Sequence, residues 1–280
     1  ISQEFQSLPD DLDVLFVAHP PELSARQAWL IDQYILRHGR AVIMVDPAAK
    51  TAMGDGMFGT SRDHARSDLG VLGKAWGVTL SEGAVADAAN ALPVPVDTGN
   101  GRMEELAHPL FIGAPASDMN ANDLVTADLT RNVNFGAPGA LLADDLPDGV
   151  VFSPLISTGP SPSFMDAEAA VRDMSPGDVL KSYKTSPQPL VLAARLSGSL
   201  ATAFPAGAPA LDEPTDPGLA ELARAEAANA PPHISRSETD AEIVLIADVD
   251  ALADDFYIIP GRDVVVADNG ALVLNAIDAL

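Results

Sequence analysis

The feature that most constrains this chain is a pair of short apolar runs joined by a capped amphipathic helix. Asp13-Val14-Leu15-Phe16-Val17-Ala18-His19 and Ala41-Val42-Ile43-Met44-Val45-Asp46-Pro47 lack polar alternation, the pattern of strands buried on both faces. Pro20-Pro21 ends the first run, and Ser24 with Gln27 then forms a capping-box pair. The helix places Ala28, Ile31 and Ile35 on one stripe and stops at Gly39. Strand, helix and strand with short connections form a right-handed crossover, so the sheet is expected to be largely parallel.

The same alternation recurs along the chain. A helix is expected over 63–76, with Leu69, Leu72 and Trp76 at helical spacing before Gly77. Glu242 to Asp248 repeats the buried-strand pattern, and a last helix over 270–280 carries Val273, Ala276, Ile277 and Leu280 on one face. Further strands are expected at 108–115, 122–129, 150–158 and 189–196, between Gly and Pro punctuation. Residues 205–237 are rich in Pro, Ala and acidic side chains and read as an exposed, irregular insertion around a helix at 219–228. The fold class is therefore α/β, a single domain over 1–280 with a parallel-rich sheet flanked by helices. Ile31 and Trp76 are expected in its core.

Charge and missing residue types exclude several functions. The chain has 16 Lys and Arg against 40 Asp and Glu, a formal charge of −24, which repels nucleic acid and anionic lipid surfaces. It has no cysteine, so thiol catalysis, disulfides and zinc–thiolate sites are excluded. The five histidines, His19, His38, His64, His108 and His233, are dispersed without metal-binding spacing. Ser197-Gly198-Ser199 has no local base, and no nucleophile elbow occurs. Gly54, Gly56 and Gly59 read G-x-G-x-x-G but follow a loop instead of opening a helix, which fits a mobile loop better than a phosphate cradle. No apolar run reaches the roughly 18 residues of a membrane span. The first residue is Ile1 rather than Met, and the last helix runs to Leu280. Membrane anchors are therefore expected in flanking sequence.

The candidate ligand-binding residues are acidic strand ends. If the two strands pair, Asp46 and Asp248 converge at the carboxyl edge of the sheet with Asp250, Asp254 and Asp255 nearby, where carboxylates suit a hard cation or a sugar. No EF-hand spacing is present. The competing reading makes Asp250 a helix cap and the other aspartates solvated. His19 joins the candidates because it ends a strand. Trp76, Phe256 and Tyr257 are stacking candidates, with core packing the competing role. No cofactor is expected, and the metal question stays open.

The order of segments resembles the gliding-motility-type ABC transporter auxiliary component family. The resemblance rests on Leu8-Pro9-Asp10-Asp11-Leu12-Asp13-Val14-Leu15, His19-Pro20, Leu23-Ser24, Ile31-Asp32-Gln33-Tyr34 and Val45-Asp46-Pro47. It continues through Leu72-Gly73-Lys74-Ala75-Trp76-Gly77, Ile246-Ala247-Asp248-Val249-Asp250, Asp254-Asp255-Phe256, Asn269-Gly270 and Leu274 to Leu280. It implies an extracytoplasmic domain of a membrane-anchored protein, encoded beside an ABC ATPase and permease, with a fold like the class I glutamine amidotransferases. The amidotransferase cysteine is missing, and the family offers no catalytic residues to transfer. The expected function is a non-catalytic accessory or ligand-sensing domain with permease and ATPase partners and a small-molecule or sugar ligand. The alternatives are a metal-assisted hydrolase using Asp46 and Asp248, and a structural dimerisation module.

Overall fold

The computed structural model describes residues 5–9, 11–51, 65–97, 101–172, 174–228, 230–259, 261–262 and 264–280. The Met53–Gly59 loop and His64 lie outside these residues. The expected crossover is present as β1 (Leu15–Ala18), α1 (Ala25–His38) and β2 (Arg40–Met44). Ser24 and Gln27 make both halves of the capping box, and Gly39 ends the helix at φ 77°, a left-handed conformation that costs glycine little. α2 (Gly70–Trp76) follows. Then come β3 (Ala91–Asp97), β4 (Met103–Ala114), β5 (Val133–Gly136) and β6 (Val150–Ser157). After α3 (Ala167–Val171), α4 (Pro176–Ser182) and β7 (Val191–Gly198), α5 (Pro217–Ala228), β8 (Ala241–Ile246) and α6 (Asn269–Asp278) complete the main elements.

The principal sheet has five strands in the order β1-β2-β8-β7-β6. β1, β2 and β8 are mutually parallel, and β7 is antiparallel to both β8 and β6. The sheet is therefore mixed, with only β7 reversed. Alternation places Ala41, Ile43, Val45, Ile243 and Leu245 on the face covered by α1 and α2, where Ile31, Ile35, Leu72 and Trp76 pack. Val42, Met44, Val244 and Ile246 face the other way, onto Ile112, Phe135, Leu272 and Ala276 from β4, β5 and α6. β3, β4 and β5 form a second, antiparallel sheet on that side.

Four expectations need correction. β1 is an edge strand with Phe16 40% exposed, so only one of its faces is buried. α2 starts at Gly70 rather than 63. Residues 65–67 instead run beside the exit of β2, through Ala49 N–H to the Ala65 carbonyl and Ser67 N–H to the Asp46 carbonyl, and the Asp68 carboxylate accepts from Gly70 N–H. Residues 122–129 form turns, because Asn120 and Asp123 accept from the backbone two residues on and Thr126 donates back to the Asn120 carbonyl. Such local bonds compete with a strand ladder. The last helix ends at Asp278, and its buried stripe is Asn269, Leu272 and Ala276.

The insertion is tied down at its ends. Asp32 of α1 accepts from Thr202 Oγ1 and Ala203 N–H, and Gln33 exchanges hydrogen bonds with the backbone of Ile234. These contacts bury the polar face of α1, which is why Asp32 and Gln33 are each 1% exposed.

Ile31 is 3% exposed and Trp76 0%. Ile31→Ala or Trp76→Ala is expected to cost about 2–5 kcal/mol through lost burial and the cavity left behind. The check is a lowered denaturant midpoint with unchanged slope.

Candidate functional site

β2 and β8 pair in parallel with Ile246 opposite Met44, which brings the residues just beyond both strands to one edge. Asp46, Asp248 and Asp250 are each 0% exposed, and one ligand atom from each lies within 4.8 Å of the others. The expected convergence of Asp46 and Asp248 is therefore present.

The protein's own donors occupy this cluster. Asp46 accepts from Ala48 N–H at 2.7 Å and Val249 N–H at 3.0 Å, one bond to each carboxyl oxygen. Asp248 accepts from Gly136 N–H at 2.7 Å and Asp250 N–H at 2.8 Å. Asp250 accepts from Lys50 N–H at 2.8 Å and from both the N–H and the hydroxyl of Thr51. Asp250 thus anchors residues 50–51, which corrects the helix-cap reading; the short helix Asp250–Leu252 has Val249 at its cap.

Burial is the largest influence on the acid strength of the pair. It pushes the Asp46 carboxyl up to about 8, with the nearby Asp250 charge adding to the effect. It raises Asp248 well above the ordinary carboxylate range, helped by Asp46 and Asp250. The contact between the two carboxyls also acts on both, lowering Asp46 and raising Asp248. The two residues titrate as one interacting acid pair, with both carboxyls held above the ordinary carboxylate range.

His19 sits at the rim, half-buried, with φ 46°. Its Nδ1 is 2.9 Å from Ser67 Oγ, which accepts from Asp46 N–H at 3.1 Å. His19 therefore reaches the cluster through Ser67 and the Asp46 backbone. Asp254 and Asp255 are exposed, and Asp254 accepts from the Tyr257 hydroxyl. Neither joins the buried group of three. Phe256 stacks on Phe111 at 6.0 Å and closes over Gly136, where an added Cβ would meet its ring at 2.5 Å. Trp76 is fully buried in the core.

Sequence reasoning missed Ser67, Gly136, Lys50 and Thr51. Their roles are backbone and hydroxyl contacts made across a separation of more than 100 residues in the case of Gly136 and Asp248. No local pattern marks them.

The cluster predicts a pH dependence. Asp46 has a folded pKa near 8, against about 3.9 when unfolded, so between these values the folded state holds more protons than the unfolded one. The contribution of the pair to stability is complete below the unfolded value and is lost as pH rises through the folded value, with a slope of up to about 1.4 kcal/mol per pH unit for each group. Asp248→Asn keeps a donor toward Asp46 and is expected to flatten this dependence. Asp248→Ala is expected to cost about 1–3 kcal/mol by leaving buried N–H groups without acceptors. Denaturant unfolding at several pH values checks both.

No helix among the described residues is long and apolar enough to cross a membrane. No curated protein and no solved structure matches the chain. Residues 1–276 match the family described as an ABC-type uncharacterized transport system. With nearly its whole length covered, the chain belongs to this ABC transport auxiliary family.

Proposed function

We propose that this chain is a non-catalytic accessory domain of an ABC transport system, acting outside the cytoplasm beside the permease and ATPase subunits. The observation that carries the reading is the family match over residues 1–276. The acidic edge supports a structural role, because both oxygens of Asp46, Asp248 and Asp250 already accept hydrogen bonds from the chain. The domain presents its ligand-sensing surface beside this lock. A groove of ≈ 380 Å³ lined by Pro47, Arg66, Glu82, Asp166, Glu168 and Arg172 opens just past β2. That is the side of an α/β sheet where ligands gather, as in the amidotransferase-like arrangement that the reading invokes.

A cation-assisted hydrolase is the competing reading, favoured by the convergence of three carboxyl groups within 4.8 Å. Calorimetric titration with Ca²⁺ and Mg²⁺ separates the two. We expect no saturable heat; binding that is weakened by both Asp46→Asn and Asp248→Asn, with folding intact, would favour the hydrolase.

The tagged full-length gene product, purified from native membranes in mild detergent, is expected to carry an ABC ATPase and a permease with it. Recovery without either subunit would remove the transport assignment. An exposed site such as Leu222, converted by Leu222→Cys, is expected to react with a membrane-impermeant maleimide in intact cells, and protection until lysis would place the domain inside.

A further inference from the structure

The first turn of α1 holds a charge in an unfavourable place. Arg26 is 7% exposed, and its Nε is fully buried with no hydrogen-bond partner. Among the described residues no ion pair reaches its guanidinium. The helix has no acidic residue in its first turn, so the cation also sits at the positive end of the helix dipole, where an anion is favoured. Nearby packing holds the group without neutralising it: the Arg26 guanidinium carbon lies 4.3 Å over the Trp29 ring. Trp29 is fixed in turn by its Nε1–H, which donates to His233 Nδ1 at 3.1 Å, and by stacking on that ring at 18°. Exposed Asp212 acts on Arg26 through space. A buried cation with open donors is costly unless an acceptor arrives.

We propose that the N-terminal end of α1 is a carboxylate-binding site, in which Arg26, packed over the Trp29 ring, takes the carboxylate of a small ligand. The planar N–H edges of a guanidinium match the two oxygens of a carboxylate, and the buried Arg26 Nε is a donor that still lacks an acceptor. The neighbouring Asp212 and the formal charge of −24 favour a single negative charge over a phosphate dianion. α1 starts just beyond β1, so this site lies on the same edge of the sheet as the carboxyl ends of the parallel strands, yet it shares no residue with the aspartate cluster. It does not rest on the transport assignment.

The test uses the 280-residue chain labelled with ¹⁵N-arginine, whose Nε–H resonances report hydrogen bonding directly. The Arg26 resonance, identified by its loss in Arg26→Gln, is expected to move downfield and saturate on titration with sodium acetate. Sodium chloride at matched ionic strength should leave it in place. Acetate should also raise the melting temperature, an increase lost in Arg26→Gln. Should that variant fail to fold, Asp212→Asn provides the second arm, with tighter acetate binding expected once the like charge is removed. An unmoved resonance, an equal response to chloride, or a tighter response to phosphate would each overturn the proposal. So would an Arg26 Nε–H resonance already downfield without acetate, since that would reveal an internal acceptor.

Discussion

The burial of the Asp46 and Asp248 carboxyl groups against each other is the constraint on which the rest of this edge depends. Two carboxyl groups at 0% exposure cannot both be charged at low cost. Burial favours the protonated form of both, and their oxygens are met by backbone amides from three separate segments. Val249 and Ala48 bind Asp46, and Gly136 binds Asp248. Asp250 then fastens residues 50–51. The exits of β2, β5 and β8 are thereby locked to one another, and the second sheet is joined to the first by hydrogen bonds as well as by the apolar layer of Ile112, Phe135, Val244 and Ile246.

Local backbone strain gathers around that lock. The only two non-glycine residues with positive φ among the described residues are His19 at 46° and Ala137 at 50°. One follows β1 and is bound through Ser67, and the other follows Gly136. Such conformations persist where neighbours over-determine them. At Ala137 the constraint is its N–H bond to the Leu110 carbonyl, and at His19 it is the N–H bond to the Met44 carbonyl together with the contact to Ser67.

The parts legible in the sequence are those with local signatures. The capping box at Ser24 and Gln27, the stop at Gly39 and the unbroken apolar runs around Ile43 and Leu245 each carry a short-range physical cause, and each element formed. The convergence of Asp46 and Asp248 was legible only on the condition that their strands pair, which β2 and β8 do. The expected strand at 122–129 failed because Asn and Asp side chains satisfied the backbone locally, against an apolar spacing that resembled a strand. The double burial of β1 failed because edge position is a property of the whole sheet, and nothing in Leu15 to Ala18 encodes which strand lies outermost. Ser67 and Gly136 were invisible for the same reason: their meaning comes from residues far away in the chain.

The strand order also shapes the route to the folded state. β8, at Ala241–Ile246, lies between β2 and β7 in the middle of the principal sheet. Until that segment is available, β2 has a partner on one side only, and the ladder of β7 with β6 has nowhere to dock. The central apolar pairs, Ile43 with Leu245 and Val42 with Val244, close a loop of about two hundred residues, and such long closures slow folding. A ribosome-bound chain ending before Ala241 therefore displays two unpaired strand edges, and its protection from aggregation during synthesis has to come from its many like charges or from chaperones.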